Sequence, residues 1–422
     1  MTSHLWKYLD VGEFGKVLIR FASSEILSNG LRMLSGLLVV SLIDPESYGV
    51  FAGAGVYLGY ILIGHGGIIN GLGRELPYAL GRGNEVEARS MASSVFFLSI
   101  LISLLAGGTY FIFALIHLVQ GNQLLGLIFL GYTIIGGLQL LNKQFLPVLY
   151  RTNNDFDSLS KQKIVIGLVN LSTVLLVWWL EIFGLIIRAA GLAILEYILL
   201  LKNKPYKLSL KRNLGHYNYL FKTGLPIFAV GHVNLIWTTV LNNFILFVGG
   251  PLNYGLYGIS NIVQSAIGVI PSAFGQVIYP RMAIMLGEGK KVSYILKTNI
   301  KPLFFQFSVM LVVAVICAML LPFVIPIILP KYIEGIAAAQ WMIFVPVVNS
   351  FGALNNIYNV VKRQKWYFVS LSLGAIIGSL YIVWQVDHYG FHLEVFPQGI
   401  ILGESLQQIL AICFLQRLRD DD

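Results

Sequence analysis

The sequence Pro45-Glu46-Ser47-Tyr48-Gly49 returns 206 residues later as Pro251-Leu252-Asn253-Tyr254-Gly255. Each copy follows a long apolar stretch. A second pair with the same offset places Leu80-Gly81-x-Gly83 opposite Leu286-Gly287-x-Gly289. The two pairs keep one register without a gap, which indicates an internal repeat. The chain is therefore predicted to consist of two similar halves.

The composition indicates that lipid solvates much of the chain. Of its 422 residues, 56% are hydrophobic and only 12% are charged, and the mean hydropathy is +0.75. Soluble domains carry roughly 25% charged residues, so a chain this poor in charge could not cover a water-facing surface. The net charge of +9 is distributed over short clusters between apolar stretches. That distribution is typical of cytoplasmic loops and argues against binding to nucleic acid.

Twelve apolar stretches have lengths near the ~20 residues that a helix needs to cross the hydrocarbon core. The fifth and sixth are short, and only Glu181 to Gly184 separate them. We predict an all-α polytopic membrane protein with twelve transmembrane helices. The predicted spans are 17–42, 48–73, 91–115, 124–149, 164–180, 184–201, 224–248, 254–279, 302–328, 336–360, 367–386 and 398–416.

The basic residues of the linkers predict the orientation. When the linkers are assigned alternately to the two sides, Lys and Arg gather on one side, and Lys331 is the only basic residue in the linkers of the other side. Lys and Arg are enriched in cytoplasmic loops, so both termini are predicted to be cytoplasmic. A wrong span count would mix the two sides, so this distribution also supports twelve spans.

The longest basic linker follows the sixth span and divides the chain. We predict a six-helix bundle over 1–201, a basic cytoplasmic linker over 202–223, and a second six-helix bundle over 224–422. Because each half has an even number of spans, both halves enter the membrane from the same side. The two bundles would then form a parallel repeat, as in transporters built from two bundles.

Basic residues within the predicted spans suggest a substrate cavity, because charges in lipid are costly and usually face a bundle interior or a wet cavity. Arg32 and Lys143 lie deep in their spans, where an ion pair between helices is the alternative. Arg20 and Arg188 lie about one turn from a membrane surface, where snorkelling is the alternative. All four are predicted to line the cavity.

Carboxylates within the spans are candidates for coupling transport to protons or sodium. They are Glu25, Glu196 and Glu404. Glu25 and Arg32 are seven residues apart and share one face of the first helix. Each of the three acids has an alternative role as the partner of a neighbouring basic residue.

Amide side chains are concentrated in the seventh, eighth and tenth spans. Hydrogen bonding between helices explains any one of them, but their concentration favours a hydrophilic cavity between the halves that could bind hydroxyl-rich cargo. The predicted cavity residues of this group are Asn242, Asn261, Gln264, Gln276 and Asn356.

The sequence offers no signature of an enzyme. It has no P-loop, no G-x-S-x-G and no H-E-x-x-H, and the predicted outside loops are too short for a catalytic domain. We predict no catalytic residues, no metal site and no cofactor. Uphill transport would depend on an ion gradient, a potential or the cargo gradient.

Three segments carry a family resemblance. They are Asp44-Pro45-x-x-Tyr48-Gly49, the stretch from Tyr254-Gly255-Leu256-Tyr257 to Pro280-Arg281, and Leu329-Pro330-Lys331-Tyr332. With the length, span count and 6+6 division, they resemble the oligosaccharide or O-antigen flippases of the multidrug/oligosaccharidyl-lipid/polysaccharide (MOP) exporter superfamily. The cavity cations of that family do not lie in an alignable motif, so Arg32 and Lys143 are assigned from their depth alone.

The resemblance implies a flippase of the bacterial inner membrane that works by alternating access. Its cargo would be an undecaprenyl-pyrophosphate-linked oligosaccharide, moved from the cytoplasmic to the periplasmic leaflet for synthesis of a surface polysaccharide such as the O-antigen of lipopolysaccharide. Its partners would be this lipid-linked oligosaccharide, membrane lipid, and the polymerase and glycosyltransferases of the same pathway. Two alternatives remain open, an ion-coupled multidrug exporter of the same superfamily and a membrane polysaccharide polymerase.

Overall fold

The computed structural model describes residues 11–153, 155–210, 213–287, 290–355, 357–358 and 363–420. Side chains are described from residue 23 to residue 415, except at 154, 211–212, 273–274, 276–281, 283–284, 286–289, 356 and 359–362. These residues form helices and turns, with no strand among them, which confirms the predicted all-α class. The α-helices are α1 (Val11–Leu42), α2 (Pro45–Ala54), α3 (Leu58–Ile63), α4 (Ile68–Gly81), α5 (Glu85–Val119), α6 (Gln123–Leu140), α7 (Leu146–Thr152), α8 (Phe156–Ser172), α9 (Val174–Lys202), α10 (Leu214–Gly287), α11 (Val292–Ile328), α12 (Ile336–Met342), α13 (Val345–Val348), α14 (Gln364–Tyr389) and α15 (Val395–Asp420).

Ten helical stretches of the described chain are long and apolar enough to cross a membrane. This number is compatible with twelve spans for two reasons. The α10 stretch contains two spans, and α8, which lies directly before the α9 stretch, adds one more. The α10 helix has 74 residues and would be about 110 Å long if it were continuous, far more than a bilayer of ~30 Å. Its backbone is broken at Gly250, where φ is 75°, so it supplies two spans.

The fifth and sixth spans show where the sequence prediction was inaccurate. The α8 helix begins at Phe156, well before the predicted start at residue 164, and only Thr173 separates it from α9. The predicted break between the two spans is confirmed at Glu181, which has a φ of 50°. That left-handed conformation is costly for a residue with a side chain, and it marks the turn between the spans.

The chain divides into two compact units whose bounds differ from the predicted bundles at two places. The first unit comprises Met1–Leu42 and Tyr57–Phe228, and the second comprises Ile43–Val56 and Ala229–Asp422. The segment after the first span therefore belongs with the second half of the chain. The predicted linker and the start of the seventh span belong with the first half.

Glycine contacts explain why these segments are exchanged. In the first unit, a Cβ on Gly224 would lie 2.0 Å from the carbonyl oxygen of Gly67, and a Cβ on Gly71 would lie 2.1 Å from that of Leu220. Backbones can approach this closely only where no side chain intervenes, a common device between membrane helices. The start of α10 is therefore held against α4 within the first unit.

The repeated motif forms the corresponding contact in the second unit. A Cβ on Gly49 would lie 1.7 Å from the carbonyl oxygen of Pro251, and a Cβ on Gly255 would lie 1.8 Å from that of Pro45. Each copy of the motif therefore receives the backbone of the other copy at its glycine. The sequence repeat corresponds to a reciprocal crossing of α2 with α10.

Asp44 caps the N-terminus of α2. Its carboxylate accepts a hydrogen bond from the Ser47 N–H at 2.9 Å, and Pro45 occupies the first helical position. Partial burial alone raises the pKa of the Asp44 carboxyl. Hydrogen bonds from Ser47, together with the charge of Lys331, outweigh that effect and hold the pKa below its ordinary value of 3.8.

We expect Asp44→Ala to lower the free energy of unfolding by about 1 kcal/mol, because an N–H at the helix start loses its acceptor. Asp44→Asn keeps an acceptor oxygen and should stay close to wild type. Because the folded-state pKa is depressed, the contribution of the charged cap is complete above the ordinary pKa and is lost as the pH falls through the folded-state pKa. Thermal unfolding in detergent at neutral and acid pH measures the difference, which should shrink in acid.

Candidate functional site

The first unit contains a pocket of about 170 Å³ that is lined by basic side chains from several helices. Arg32 comes from α1, Arg151 from α7 and Lys163 from α8. Lys143 comes from the segment between α6 and α7, and Glu196 comes from α9. The structure therefore brings together Arg32 and Lys143, which were predicted to line a cavity, and Glu196, which was predicted as a coupling acid.

Lys143 lies in a short π-helical segment, Leu141–Phe145. The sequence explains the widened helix, because Pro147 has no N–H to donate to the carbonyl of Lys143 and its ring would clash with that carbonyl in a regular helix. Neighbouring side chains fix the segment: Asn142 donates to the Ala193 carbonyl at 2.8 Å, and Gln144 donates to the Leu62 carbonyl at 3.1 Å. Single π-helical turns frequently occur at functional sites.

Both lysines of the pocket form ion pairs. The Lys143 ammonium lies 2.9 Å and 2.7 Å from the two carboxylate oxygens of Glu196. The Lys163 ammonium is paired with the carboxylate of Glu25 on α1. Two of the three predicted coupling acids thus take the alternative role of partner to a basic residue.

The two arginines of the pocket give it an excess of positive charge. The Arg32 guanidinium donates to the Ser28 hydroxyl at 3.0 Å. Within the described residues, neither Arg32 nor Arg151 pairs with a carboxylate. Four basic groups therefore face two carboxylates, Glu196 and Glu25, which leaves an excess of two positive charges. Arginine also presents several donors in a planar fork, which suits carboxylate and phosphate oxygens.

Arg188 lies outside the lining of this pocket. Its side chain is buried, and its guanidinium donates to the hydroxyl of Ser35 and to the Asn170 side-chain oxygen at 2.7 Å. It also reaches the Asn170 carbonyl oxygen at 3.1 Å. These bonds tie α9 to α1 and α8, so Arg188 helps to hold the helices that carry the pocket.

Four of the remaining predicted residues have described side chains, and these do not line this pocket. Asn242, Asn261 and Gln264 are half-buried on α10 in the second unit, and Glu404 is buried on α15. The side chains of Arg20, Gln276 and Asn356 lie outside the described residues. The roles of these residues in transport stay predictions.

Sequence reasoning missed Arg151 and Lys163, which it placed in a cytoplasmic linker. The missed signal is Asp155, whose carboxylate accepts a hydrogen bond from the Ser158 N–H at 3.2 Å and caps α8. An aspartate directly before a helical stretch is a known start signal. Reading it as such extends the helix to Phe156 and places Lys163 two turns inside it.

Neither a protein-family model nor a curated protein matches the sequence, but solved structures match the fold over nearly the whole chain. The chain is similar to a multidrug resistance MATE family transporter of the MOP superfamily in its inward-facing conformation, with a TM-score of 0.74, 14% identity, and coverage of 93% of this chain and 95% of that chain. The outward-facing conformation of such a transporter gives a TM-score of 0.62 at 14% identity and 96% coverage of both chains. A MOP superfamily transporter from Pyrococcus furiosus gives 0.64 at 13% identity with the same coverage.

At these identities the comparison establishes the fold. The chain has the all-helical fold of MATE transporters, and the predicted pair of repeated bundles is confirmed. The predicted superfamily fits this fold. The flippase branch within it is a finer assignment and is treated as a proposal below.

Proposed function

We propose that this chain is a membrane transporter that works by alternating access and binds an anionic group of its cargo in the first-unit pocket. The fold supports the first part, since structures with this fold are described in both inward-facing and outward-facing conformations. The pocket supports the second part through its excess of two positive charges. That excess is the observation on which the proposal depends.

The magnitude of the electrostatics favours a cargo with at least one phosphate or carboxylate. A unit charge about 4 Å from a cation gains on the order of 4 kcal/mol at an effective dielectric constant of ~20. Each 1.4 kcal/mol corresponds to about tenfold in affinity. Arg32 and Arg151 are free to contribute this energy, because they do not have to give up a carboxylate partner within the described residues.

The size of the pocket suggests that it holds only part of the cargo. Pockets for drug-sized ligands measure ~300–1,000 Å³, whereas this pocket measures about 170 Å³. A pyrophosphate group suits this volume better than a complete oligosaccharide does. We therefore propose as cargo an undecaprenyl-pyrophosphate-linked oligosaccharide of a bacterial inner membrane, flipped for surface polysaccharide synthesis, with the lipid tail remaining in the bilayer.

An ion-coupled multidrug exporter is the second candidate, and the comparisons favour it. Structures similar to this chain include multidrug resistance MATE family transporters. The charge of the pocket favours the anionic cargo instead, because a cationic drug would be repelled by Arg32 and Arg151, which pair with no carboxylate among the described residues. For the Pyrococcus furiosus transporter, a reverse polarity of the binding pocket is described as suggesting a different function.

The cargo is tested by transport in proteoliposomes. We expect wild-type protein to flip a fluorescent undecaprenyl-pyrophosphate oligosaccharide. The double variant Arg32→Gln/Arg151→Gln should flip it at least about tenfold more slowly, because each lost charge contact is worth more than about 1.4 kcal/mol. Lys161→Gln is the matched control. It removes an exposed basic residue of the same helix, α8, that does not line this pocket, and it should leave the rate within about twofold.

Ethidium is carried through the same assay as a cationic probe. Active extrusion of ethidium by wild-type protein, with no movement of the lipid-linked oligosaccharide, would replace the proposed cargo with the multidrug alternative. Equal lipid flipping by wild type and the double arginine variant would remove this pocket from the transport path.

A further inference from the structure

Glu404 differs from the other two acids within the spans because none of the described residues is a basic partner to it. Glu25 and Glu196 are each paired with a lysine. Glu404 is 8% exposed on α15, and among the described residues no Lys, Arg or His forms an ion pair with it. A buried carboxylate without a partner is costly in a membrane protein.

The neighbours of Glu404 leave one carboxyl oxygen without a donor. The Asn349 side chain faces the carboxyl and forms a hydrogen bond with it, whereas Oε2 is buried and has no hydrogen-bond partner in the part of the chain that the structure describes. The nearby amides of Asn355 and Gln408 are engaged with each other, at 3.1 Å. The Oε2 atom therefore lacks the donor that a buried carboxylate requires.

The groups around Glu404 can solvate a neutral carboxyl better than a charged one. The titratable group that faces it within the described residues is the Tyr367 hydroxyl of α14. The Asn349–Asn355 turn contributes the amides of Asn349 and Asn355, and α15 itself contributes the amide of Gln408. These dipoles carry no net charge to balance a carboxylate.

We propose that Glu404 carries an exchangeable proton and is the coupling group of the transport cycle. The proton lies on Oε2 in the state described here, because an O–H there removes the charge and needs no external donor. The O–H bond forms with a proton from one aqueous compartment and breaks when the proton is released to the other. The coupling part rests on the proposed transport function, whereas the protonated state does not.

The protonated state is tested without cargo. Infrared spectra of purified wild-type protein at neutral pH should contain the carbonyl stretching band of a protonated carboxyl. Glu404→Gln should remove that band, and Glu404→Asp should shift it if the Gln variant does not fold.

Glu334→Gln changes an exposed carboxylate of the same unit and should leave the band unchanged. The proposal is overturned if the spectra of Glu404→Gln and Glu404→Asp are both identical to the wild-type spectrum. Loss of the band on adding sodium at constant pH would assign the site to sodium instead.

Coupling is tested in proteoliposomes with the membrane potential held at zero. A gradient of one pH unit should sustain about a tenfold cargo ratio in wild type if one proton exchanges per cargo. In Glu404→Gln the ratio should fall to about one, while exchange of labelled for unlabelled cargo continues. A ratio that persists in the variant overturns the coupling role. If wild-type protein moves no cargo at all, the proposed function is rejected. The infrared result would still decide whether Glu404 is protonated.

Discussion

Alanine at Gly49 or at Gly255 is expected to prevent the second unit from folding. The new Cβ atoms would lie 1.7 Å from the Pro251 carbonyl oxygen and 1.8 Å from the Pro45 carbonyl oxygen. The atoms in the way belong to the backbone, so a side-chain rotation cannot relieve the clash. Overpacking of a well-packed core costs about 1–3 kcal/mol, and this backbone clash should exceed that range.

The loss is measured by thermal unfolding and size-exclusion chromatography of detergent-solubilised protein. Gly268→Ala is the matched control, because it lies on the same helix α10 and its Cβ would meet nothing within 4 Å. The control should be as stable as wild type or up to about 1 kcal/mol more stable, because alanine favours a helix over glycine. Monodisperse, wild-type-like Gly49→Ala and Gly255→Ala proteins would mean that the two helices do not cross here.

Reversing the charge of Lys143 is expected to reduce transport of an anionic cargo by about a hundredfold or more. Lys143→Glu places two carboxylates where an ion pair spans 2.7 Å and removes the excess positive charge of the pocket. The pair is partly exposed, so its own contribution is about 0–1 kcal/mol, but the pocket loses two units of positive charge toward an anion, each worth more than about 1.4 kcal/mol, or about tenfold. Flipping rates in proteoliposomes, normalised to folded protein, measure the loss.

The reciprocal exchange separates charge from position. Lys143→Glu combined with Glu196→Lys restores both the ion pair and the excess of two positive charges. We expect the double exchange to transport cargo at a rate within about tenfold of wild type, whereas each single substitution should stay below that rate. Rates for Lys143→Glu alone that equal wild type would show that the charge of this pocket does not act on the cargo.

The sequence predicted the membrane architecture because solvation by lipid imposes strong constraints. Apolar stretches of span length and one-sided loop charges follow directly from the bilayer. Depth in a span also selected Arg32 and Lys143, since a charge far from water must be accommodated by protein. The structure places both in one pocket.

The exact partners could not be predicted, because they depend on how helices approach one another. The sequence prediction placed Lys163 in a linker, whereas Asp155 caps a helix that begins earlier and contains Lys163. Lys163 pairs with Glu25, which lies on a helix far away in the sequence. The repeat at Gly49 and Gly255 was recognised from spacing. A repeat, however, indicates similar halves and does not indicate that the two copies touch.

The exchanged segments impose a delay during synthesis. Pro45 and Gly49 leave the ribosome some 200 residues before Pro251 and Gly255, the residues against which they fit. At roughly 5–20 residues per second, the early segment waits about 10 to 40 seconds in the bilayer for its counterpart. During that interval its glycine face is open to other nascent helices, so the fidelity of membrane insertion, and not only the stability of the finished protein, depends on this crossing.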